Sequence, residues 1–477
     1  MADNLHIPPR HAHIHIMGIC GVGMSSLAGI LKEKGYTITG SDQNIYPPIS
    51  TFLERLSIPV KQGYSPSNLY PPPDLAIVGN VITRDNPEAC ELLRLRIPYL
   101  SMPQALKKFA MERKKSVIIA GTHGKTTTSA LAAWILELAG MNPSFVIGGI
   151  AKNFNSNFKL SHGPYFIIEG DEYDTAFFDK RPKFLHYGPY VTAITSIEFD
   201  HADIYKGIEE IKESFRDLIE MIPAEGLLCA NVDDPAVADE IKRARCPSLT
   251  YAIKGEADLT IRNITISDGR TELSILRGKK EYIRVTTDLY GNHTIYNILA
   301  AVSIASHFKI RPEIIAEAIT TFKGVKRRLE LIGNYEDILV IDDFAHHPTS
   351  VRETTKAVKN YHKDRRLVAV FEPRSNSSRR NIFQNAYTSS FDCADLVILP
   401  EPPMMEKIPF SERFSSTKLT TDLKDRAIEA HYFPNNDDLL DGLLTLVKPG
   451  DVILIMSNGA FDHIQQRLLH RLKEKSL

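Results

Sequence analysis

Residues 116–136 read SVIIAGTHGKTTTSALAAWIL, and this stretch decides the fold class. An apolar run of strand type leads into a loop with two glycines, and a long apolar stretch compatible with a helix follows. Lys125 and Thr126 stand where the helix begins. Backbone N–H groups and the helix dipole would face an anion there. The stretch therefore predicts a parallel α/β unit whose loop binds phosphate.

The loop chemistry indicates ATP and Mg²⁺. In loops of this kind the lysine reaches the β- and γ-phosphates, and the Ser/Thr hydroxyl is a Mg²⁺ ligand. The spacing here is the shorter G121-x-x-G124-K125-T126, because Ile119 stands where the longer motif has a glycine. A turn that contains Gly-Lys-Thr by chance is the alternative. The strand–loop–helix context argues against it.

A second glycine loop lies near the N-terminus, where residues 13–29 read HIHIMGICGVGMSSLAG. Asp42 follows about 20 residues later, as in dinucleotide-binding βαβ units. The spacing, however, is G18-x-x-G21-x-G23, and Ser26 stands where the last glycine of G-x-G-x-x-G would fall. This loop predicts a nucleotide ligand without choosing between NAD and another nucleotide.

Length and composition set limits on the class of protein. The chain has 477 residues, which suggests two or three domains. Its 57 Lys+Arg and 58 Asp+Glu cancel, so no basic bias favours nucleic acid or a membrane surface as a partner. Five scattered cysteines without a C-x-x-C pair are typical of a reduced chain. With no leader pattern and no membrane-length apolar run, we expect a soluble, cytoplasmic protein.

The succession of strands and helices predicts an α/β protein of three units. The first is a Rossmann-like unit over residues 1–113, and the charged stretch 111–115 marks its end. The second is a central ATP-binding unit over residues 114–323 with a parallel sheet. Short alternating runs in residues 250–288 predict a small antiparallel β insert in it. The third is another Rossmann-like unit over residues 324–477.

Acidic residues follow two predicted strands of the central unit. Residues 169–174 read EGDEYD, and residues 198–203 read EFDHAD. Carboxylates at strand ends lie on the edge of a parallel sheet where ligands bind, and Mg²⁺ prefers oxygen ligands. Glu169 is the first candidate ligand, and His201 could hold a second divalent ion or its water. For any single acid, a solvated loop charge is the alternative.

Two motifs of the third unit carry further candidates. Residues 342–348 read DDFAHHP after an apolar strand, and a helix-capping role for Asp343 is the competing interpretation. Residues 372–380 read EPRSNSSRR after the next strand. An arginine recognises a carboxylate with two parallel hydrogen bonds, so Arg374 is a candidate for binding an acidic substrate.

With these motifs in view, the chain resembles the Mur ligase family, which adds amino acids or peptides to UDP-N-acetylmuramate. The resemblance covers nearly the whole length. The family's phosphate motif stands at residues 121–127 as GTHGKTT, its metal glutamate at Glu169, and its E-x-D-H turn at residues 198–201. The G-x-H-N-x-x-N helix start falls on residues 291–297. The arginine beside the ATP phosphates corresponds to Arg327 or Arg328, of which we expect Arg328.

The resemblance implies roles for individual residues. The catalytic residues are Lys125, His201 and Arg328. The ATP site comprises Gly121, Thr122, His123, Gly124, Lys125, Thr126, Thr127, His293, Asn297, Asp343 and His346. The UDP site comprises Gly18, Gly21, Val22, Gly23, Met24 and Asp42. The peptide site comprises Arg374, Ser375 and Asn376, and the metal ligands are Thr126, Glu169 and His201.

Two departures from the family pattern affect this assignment. Thr294 stands where the family commonly has Asn after the histidine, which weakens the adenine contact at that position. Several members use a carbamylated lysine as a metal bridge. Lys206 and Lys212 lie nearby without matching its spacing, as in the branches that lack it.

Four segments resemble one branch of the family, which reattaches a recycled tripeptide, L-Ala-γ-D-Glu-meso-diaminopimelate, to UDP-N-acetylmuramate. They are residues 40–50, 342–348, 372–376 and 456–459. The implied reaction uses ATP to convert the lactyl carboxylate to an acyl phosphate, which the peptide amine attacks. The branch that adds L-alanine in cell-wall synthesis is one alternative. An NAD-dependent dehydrogenase with an accessory phosphate loop is the other, and it leaves that loop without a task. We expect a monomer.

Overall fold

The computed structural model describes residues 7–46, 49–267 and 269–475. The first six residues, on which the expectation of no leader segment partly rests, lie outside the described residues. So do Pro47 and Pro48 of the branch-typical motif at residues 40–50.

The N-terminal sheet has five parallel strands in the order β3-β2-β1-β4-β5. They are β1 His13–Met17, β2 Thr37–Asp42, β3 Val60–Gln62, β4 Leu75–Val78 and β5 Tyr99–Ser101. The helices are α1 Val22–Glu33, α2 Ile49–Arg55, α3 Pro87–Arg94 and α4 Met102–Phe109. Since all of β4 and most of β1 are buried, these strands read as apolar runs, as expected of a covered parallel sheet.

The central sheet has ten strands in the order β17-β16-β15-β14-β13-β12-β6-β9-β7-β8. The first strands along the chain are β6 Lys115–Ala120, β7 Ser144–Ala151, β8 Ser156–Lys159 and β9 Tyr165–Gly170. A separate hairpin follows, with β10 Asp174–Ala176 and β11 Asp179–Pro182. The remaining strands are β12 Pro189–Ile194, β13 Leu227–Asn231, β14 Ser248–Tyr251, β15 Leu259–Ser267, β16 Arg270–Arg277 and β17 Lys280–Thr287. The helices are α5 Lys125–Leu138, α6 Ile208–Glu220, α7 Pro235–Glu240, α8 Asn292–His307 and α9 Pro312–Thr321.

The antiparallel insert predicted for residues 250–288 is confirmed. Strand β15 pairs antiparallel with β16, and β16 pairs antiparallel with β17. The insert does not stand apart from the parallel sheet, because Tyr251 of β14 pairs in parallel with Leu259 of β15. The central unit is therefore built on one continuous mixed sheet.

The C-terminal sheet has six strands in the order β18-β19-β23-β20-β21-β22, and only the pairing of β18 with β19 is antiparallel. The strands are β18 Glu330–Tyr335, β19 Ile338–Asp343, β20 Leu367–Phe371, β21 Leu396–Pro400, β22 Glu429–Phe433 and β23 Val452–Met456. The helices are α10 Pro348–Tyr361, α11 Gln384–Ser390, α12 Ser416–Asp425, α13 Asn436–Leu446 and α14 Ile464–Lys475. The predicted α/β class is confirmed.

No helix within the described ranges combines the length and apolar character needed to cross a bilayer.

Candidate active site

The second glycine loop joins β6 to α5. Gly121 has a φ of +129° and Gly124 a φ of +80°, and residues other than glycine rarely adopt such positive φ angles. A Cβ atom on Gly124 would lie only 2.2 Å from Asn297 Oδ1 on α8. Glycine at this position therefore lets the loop lie directly against the predicted ATP residue Asn297.

Lys125, the first residue of α5, is held by the loop and by an acid. Its Nζ donates to the Gly121 carbonyl at 2.6 Å and to Glu172 Oε2 at 2.8 Å. Burial lowers the pKa of Lys125, but the carboxylates of Glu172 and Asp171 outweigh burial and raise it. The lysine is therefore a fixed positive charge at the start of the helix.

Thr126, Glu169 and Arg328 meet beside this lysine. The Thr126 hydroxyl donates to Glu169 Oε2 at 3.0 Å, and Arg328 Nη2 donates to Thr126 Oγ1 at 3.2 Å. The Gly148 amide donates to the other oxygen of Glu169. Burial raises the pKa of Glu169, although the Gly148 amide and Arg328 oppose this. The structure thus brings together three of the predicted residues from two units.

His201 lies against a different acid. Its Nε2 is 3.4 Å from Glu172 Oε1, and its pKa is raised to about 9. Burial lowers that pKa, but hydrogen bonding and charge from Glu172, with Asp200 and Asp171, more than compensate. His201 therefore pairs with Glu172 rather than Glu169 and is a cation here. Sequence reasoning missed Glu172, which stood among several acids in residues 169–174 with nothing to distinguish it.

Asp343 ends β19 and binds backbone amides. Its two oxygens accept from Leu329 N at 2.7 Å and from Ala345 N at 2.8 Å. The competing interpretation that Asp343 caps a helix is wrong. Helix α10 begins at Pro348, and its cap is His347, whose Nδ1 accepts from Thr349 N at 3.3 Å. The Asp343 oxygens accept from amides before the helix instead.

The N-terminus of α10 contacts the central unit. Thr349 Oγ1 donates to Glu198 Oε2 at 2.7 Å, and Ser350 Oγ lies 3.1 Å from His123 Nδ1. Burial raises the pKa of Glu198, but the hydrogen bond and charge of His123 dominate and lower it to about 2. Burial lowers the pKa of His347 to about 4, so its imidazole is neutral at pH 7. The C-terminal unit is thus docked on the phosphate loop.

The other predicted ATP residues lie nearby. His346 Nδ1 is 3.0 Å from the Phe344 carbonyl, and the Arg328 guanidinium lies 4.6 Å from the Phe344 ring centroid. Burial lowers the pKa of both His293 and His346. His293 Nδ1 is buried with no hydrogen-bond partner among the described residues, so a ligand could supply one.

One cavity of about 1110 Å³ joins the three units. The predicted residues that border it are Gly21, Val22, Gly23, Met24, Thr122, His123, Gly124, Lys125, Thr126, Thr127, Glu169, His201, His293, Asn297, Arg328, Asp343 and His346. Six predicted residues, all within the described ranges, do not border it: Gly18, Asp42, Gly121, Arg374, Ser375 and Asn376. Most of the predicted UDP and ATP residues therefore face one space.

The first glycine loop joins β1 to α1, and Asp42 lies beneath it. Asp42 is buried, and its oxygens accept from the amides of Cys20 at 2.8 Å and Asn44 at 2.9 Å. Gly18 has a φ of +79°. In this structure Asp42 stabilises the loop backbone, and both of its oxygens already have partners.

The predicted peptide residues share the loop after β20. Arg374 Nη1 is 3.3 Å from Glu372 Oε1, and Ser375 Oγ donates to Ser378 Oγ at 2.9 Å. Asn376 Nδ2 donates to Asp203 Oδ2 of the central unit at 3.0 Å. This loop is thereby tied to the same segment, residues 198–203, that carries His201.

Three family profiles match the chain in succession. The Mur ligase family catalytic domain matches residues 13–114, the Mur ligase middle domain residues 119–305, and the glutamate ligase domain residues 327–459. The chain belongs to the Mur ligase family and is an ATP-dependent ligase that forms amide bonds. The dehydrogenase alternative is therefore wrong.

Two relatives from different branches of the family are similar to the chain over nearly its whole length. The chain is similar to the UDP-N-acetylmuramate–L-alanyl-gamma-D-glutamyl-meso-2,6-diaminoheptandioate ligase of Escherichia coli (strain K12). The two are 38% identical over 97% of this chain and 99% of the relative. The UDP-N-acetylmuramate–L-alanine ligase of Desulforamulus reducens is 33% identical over 99% of this chain and 100% of the relative.

Solved structures of two such ligases have a similar fold. A murein peptide ligase from Psychrobacter arcticus superposes with a TM-score of 0.73 at 34% identity, covering 97% of this chain and 98% of that one. The UDP-N-acetylmuramate-alanine ligase of Thermotoga maritima superposes with a TM-score of 0.80 at 23% identity, covering 98% and 100%. At that identity the second likeness shows the fold alone.

Proposed function

We propose that this protein joins the tripeptide L-alanyl-γ-D-glutamyl-meso-diaminopimelate to UDP-N-acetylmuramate with ATP, as in peptidoglycan recycling. The observation that carries the proposal is the 38% identity to the tripeptide ligase of E. coli over nearly the full length of both chains. The shared cavity supports it, because the glycine loops of the first and second units face the same space. We also propose that the protein is a cytoplasmic monomer without nucleic-acid or membrane partners.

Each unit has a proposed task. Residues 1–113 bind the UDP part of UDP-N-acetylmuramate around Gly21, Val22 and Gly23. Residues 114–323 bind ATP at the second glycine loop, and residues 324–477 bind the peptide through Arg374, Ser375 and Asn376. Since the cavity lies between the units, the sugar carboxylate and the γ-phosphate could meet there.

The donor set fits a magnesium ion. The hydroxyl of Thr126 and the carboxylate of Glu169 are hard oxygen ligands held 3.0 Å apart beside the phosphate loop. The protonated His201 pairs with Glu172 at 3.4 Å, so His201 would bind the magnesium ion only after it loses its proton. When bound, Mg²⁺ supplies positive charge that offsets the negative charge of the phosphates.

The proposed reaction has two steps. A lactyl carboxylate oxygen attacks the γ-phosphorus of ATP, the bond to the bridging oxygen breaks, and ADP leaves. Lys125 and Arg328 place positive charge where negative charge spreads over the transferred phosphoryl group. The neutral α-amine of the tripeptide's L-alanine then attacks the acyl carbon. Phosphate leaves from the tetrahedral intermediate, and the amine gives up a proton.

Phosphate release tests the substrate. The purified protein is incubated with ATP, Mg²⁺ and UDP-N-acetylmuramate, and either the tripeptide or L-alanine is added. We expect release and a UDP-linked peptide product with the tripeptide, and little release with L-alanine. Efficient release with L-alanine alone would transfer the assignment to the L-alanine-adding branch.

Arg374 is the proposed contact to a peptide carboxylate. Arg374→Ala should raise the peptide KM about 10–100-fold, since a charge-assisted hydrogen bond contributes about 1.5–3 kcal/mol. Arg380 lies on the same loop but pairs with Glu412, so Arg380→Ala is the matched control. A normal peptide KM in Arg374→Ala would remove this contact from the proposal.

A further inference from the structure

Two histidines and a glutamate converge where the C-terminal unit meets the phosphate loop. His123 and Glu198 belong to the central unit, and His347 is the N-cap of α10. One ligand atom from each lies within 4.8 Å of the others. His123 Nε2 is 3.4 Å and His347 Nδ1 is 3.6 Å from Glu198 Oε2. Ligands at Zn²⁺ bond lengths in a tetrahedral site are about 3.4 Å apart, so these distances fit.

Hydrogen bonds hold both rings in a ligand-like orientation. The other nitrogen of His347, Nε2, lies 3.2 Å from the Phe199 carbonyl, which can only accept, so this nitrogen carries the proton. Its Nδ1, 3.6 Å from Glu198 Oε2, is then the nitrogen with a lone pair. The other nitrogen of His123, Nδ1, lies 3.1 Å from Ser350 Oγ. Partners of this kind on the remote nitrogen are the usual support of metal-binding histidines.

A bound ion would replace one existing hydrogen bond. His347 Nδ1 accepts from Thr349 N at 3.3 Å, which is long for a hydrogen bond, and its single lone pair would bind the ion instead. Thr349 Oγ1 donates to Glu198 Oε2 at 2.7 Å, and a carboxylate oxygen can keep such a bond while it binds a metal.

We propose that His123, Glu198 and His347 form a binding site for a divalent transition-metal ion such as Zn²⁺. Two imidazoles and one carboxylate suit Zn²⁺, whereas Mg²⁺ prefers oxygen ligands such as those of Thr126 and Glu169. The two sets share no residue. Because the ligands come from two units, a bound ion holds the C-terminal unit against the phosphate loop. This site is the same whichever peptide or amino acid the enzyme uses.

Cobalt spectroscopy tests the site on the full chain after removal of metals. Titration with Co²⁺ should produce the visible absorption of a four-coordinate ion at one ion per chain, and Zn²⁺ should displace it. His123→Gln and His347→Gln should each weaken binding by at least about tenfold. His347 also caps a helix, so the His123→Gln result, which does not involve a cap, must agree.

His201→Gln is the matched control, because His201 belongs to the other cluster, with Asp171 and Glu172. It should bind Co²⁺ like the unaltered protein. Zn²⁺ should also raise the melting temperature of the unaltered protein and of His201→Gln but not of His123→Gln, since an ion bound only to the folded state stabilises it. Loss of the band in His201→Gln together with its retention in His123→Gln would overturn the proposal. So would the absence of four-coordinate Co²⁺ absorption in the unaltered protein.

Discussion

The two glycine loops have the same strand–loop–helix arrangement but different surroundings. At the first loop, the Asp42 carboxylate accepts a hydrogen bond from the Cys20 amide of the loop itself. Burial and the negative charge of Asp42 raise the pKa of the Cys20 thiol to about 12. At the second loop, Lys125 heads the helix, with Glu172 and Arg328 close by. The first loop offers mainly backbone N–H groups to a ligand. The second loop offers backbone N–H groups together with fixed charged side chains.

This difference separates binding from chemistry. Backbone amides at a helix start can hold a diphosphate that does not react. Stabilising a phosphoryl group in transfer requires cations that are positioned before the reaction. Changes at the first loop should therefore act mainly on the KM for UDP-N-acetylmuramate, and changes at the second loop mainly on kcat. Four substitutions test this distinction.

Lys125→Ala should have the largest effect. Loss of the fixed ammonium should lower kcat by about 10²–10³-fold, since one such group contributes roughly 3–4 kcal/mol. The measurement is phosphate release at saturating substrates. Lys115→Ala is the control, because Lys115 begins the same strand, β6, at the end away from the loop. Near-normal turnover in Lys125→Ala would contradict the assigned role of the second loop.

Gly124→Ala should have the next largest effect. Both Gly124 and Gly140 have positive φ, so alanine strains either backbone by about 1–2 kcal/mol. Only at Gly124 would the new Cβ meet Asn297 Oδ1, whereas nothing lies within 4 Å at Gly140. We expect kcat to fall roughly 100-fold in Gly124→Ala, because small displacements at a reacting site are costly. Gly140→Ala should keep its kcat and lose only thermal stability. Equal kcat values in the two variants would remove the special role of the contact with Asn297.

Asp42→Asn should act on binding. The neutral amide accepts more weakly from Cys20 N, so we expect the KM for UDP-N-acetylmuramate to rise about 3–10-fold with little change in kcat. Asp74→Asn is the matched control. Asp74 accepts from the amide of His13 at 2.8 Å, at the opposite end of β1. A fall in kcat without a change in KM would mean that the first loop takes part in the chemistry.

Gly23→Ala should have the smallest effect. The added Cβ would lie 2.8 Å from Met102 Cε, the end of a flexible side chain that can move aside. We expect less than about a threefold rise in the KM for UDP-N-acetylmuramate, in line with small changes at adaptable sites. Steady-state kinetics with varied UDP-N-acetylmuramate measures this. A loss of activity in Gly23→Ala as large as that in Gly124→Ala would show that an added methyl group disrupts both loops equally.

Much of the fold could be predicted because buried parallel strands are apolar runs. The strands Tyr165–Gly170, Ile338–Asp343 and Leu396–Pro400 coincide with the apolar runs YFIIEG, ILVIDD and LVILP of the sequence. Strand Glu429–Phe433 was missed, because EAHYF is only partly buried and has no clear apolar alternation. The joining of the insert to the parallel sheet through Tyr251 and Leu259 could not be predicted either, since one pair leaves no mark in the sequence.

Part of the site could also be predicted. The local motif identified Lys125 and Thr126, because a phosphate loop needs its groups at fixed spacing along the chain. The partners of these residues come from distant segments. Glu172 is one of several acids in its segment. Within DDFAHHP the sequence offers Asp343 as a helix cap, whereas the structure places His347 there.

The sequence by itself determined the α/β class, the two glycine loops and the family, because each depends on patterns local to the chain. Only the tertiary structure decided which acid holds Lys125, which acid holds His201, and how α10 contacts the phosphate loop. These contacts join residues far apart in sequence, and their energies depend on burial and distance. Neither quantity exists until the sheets have packed against one another.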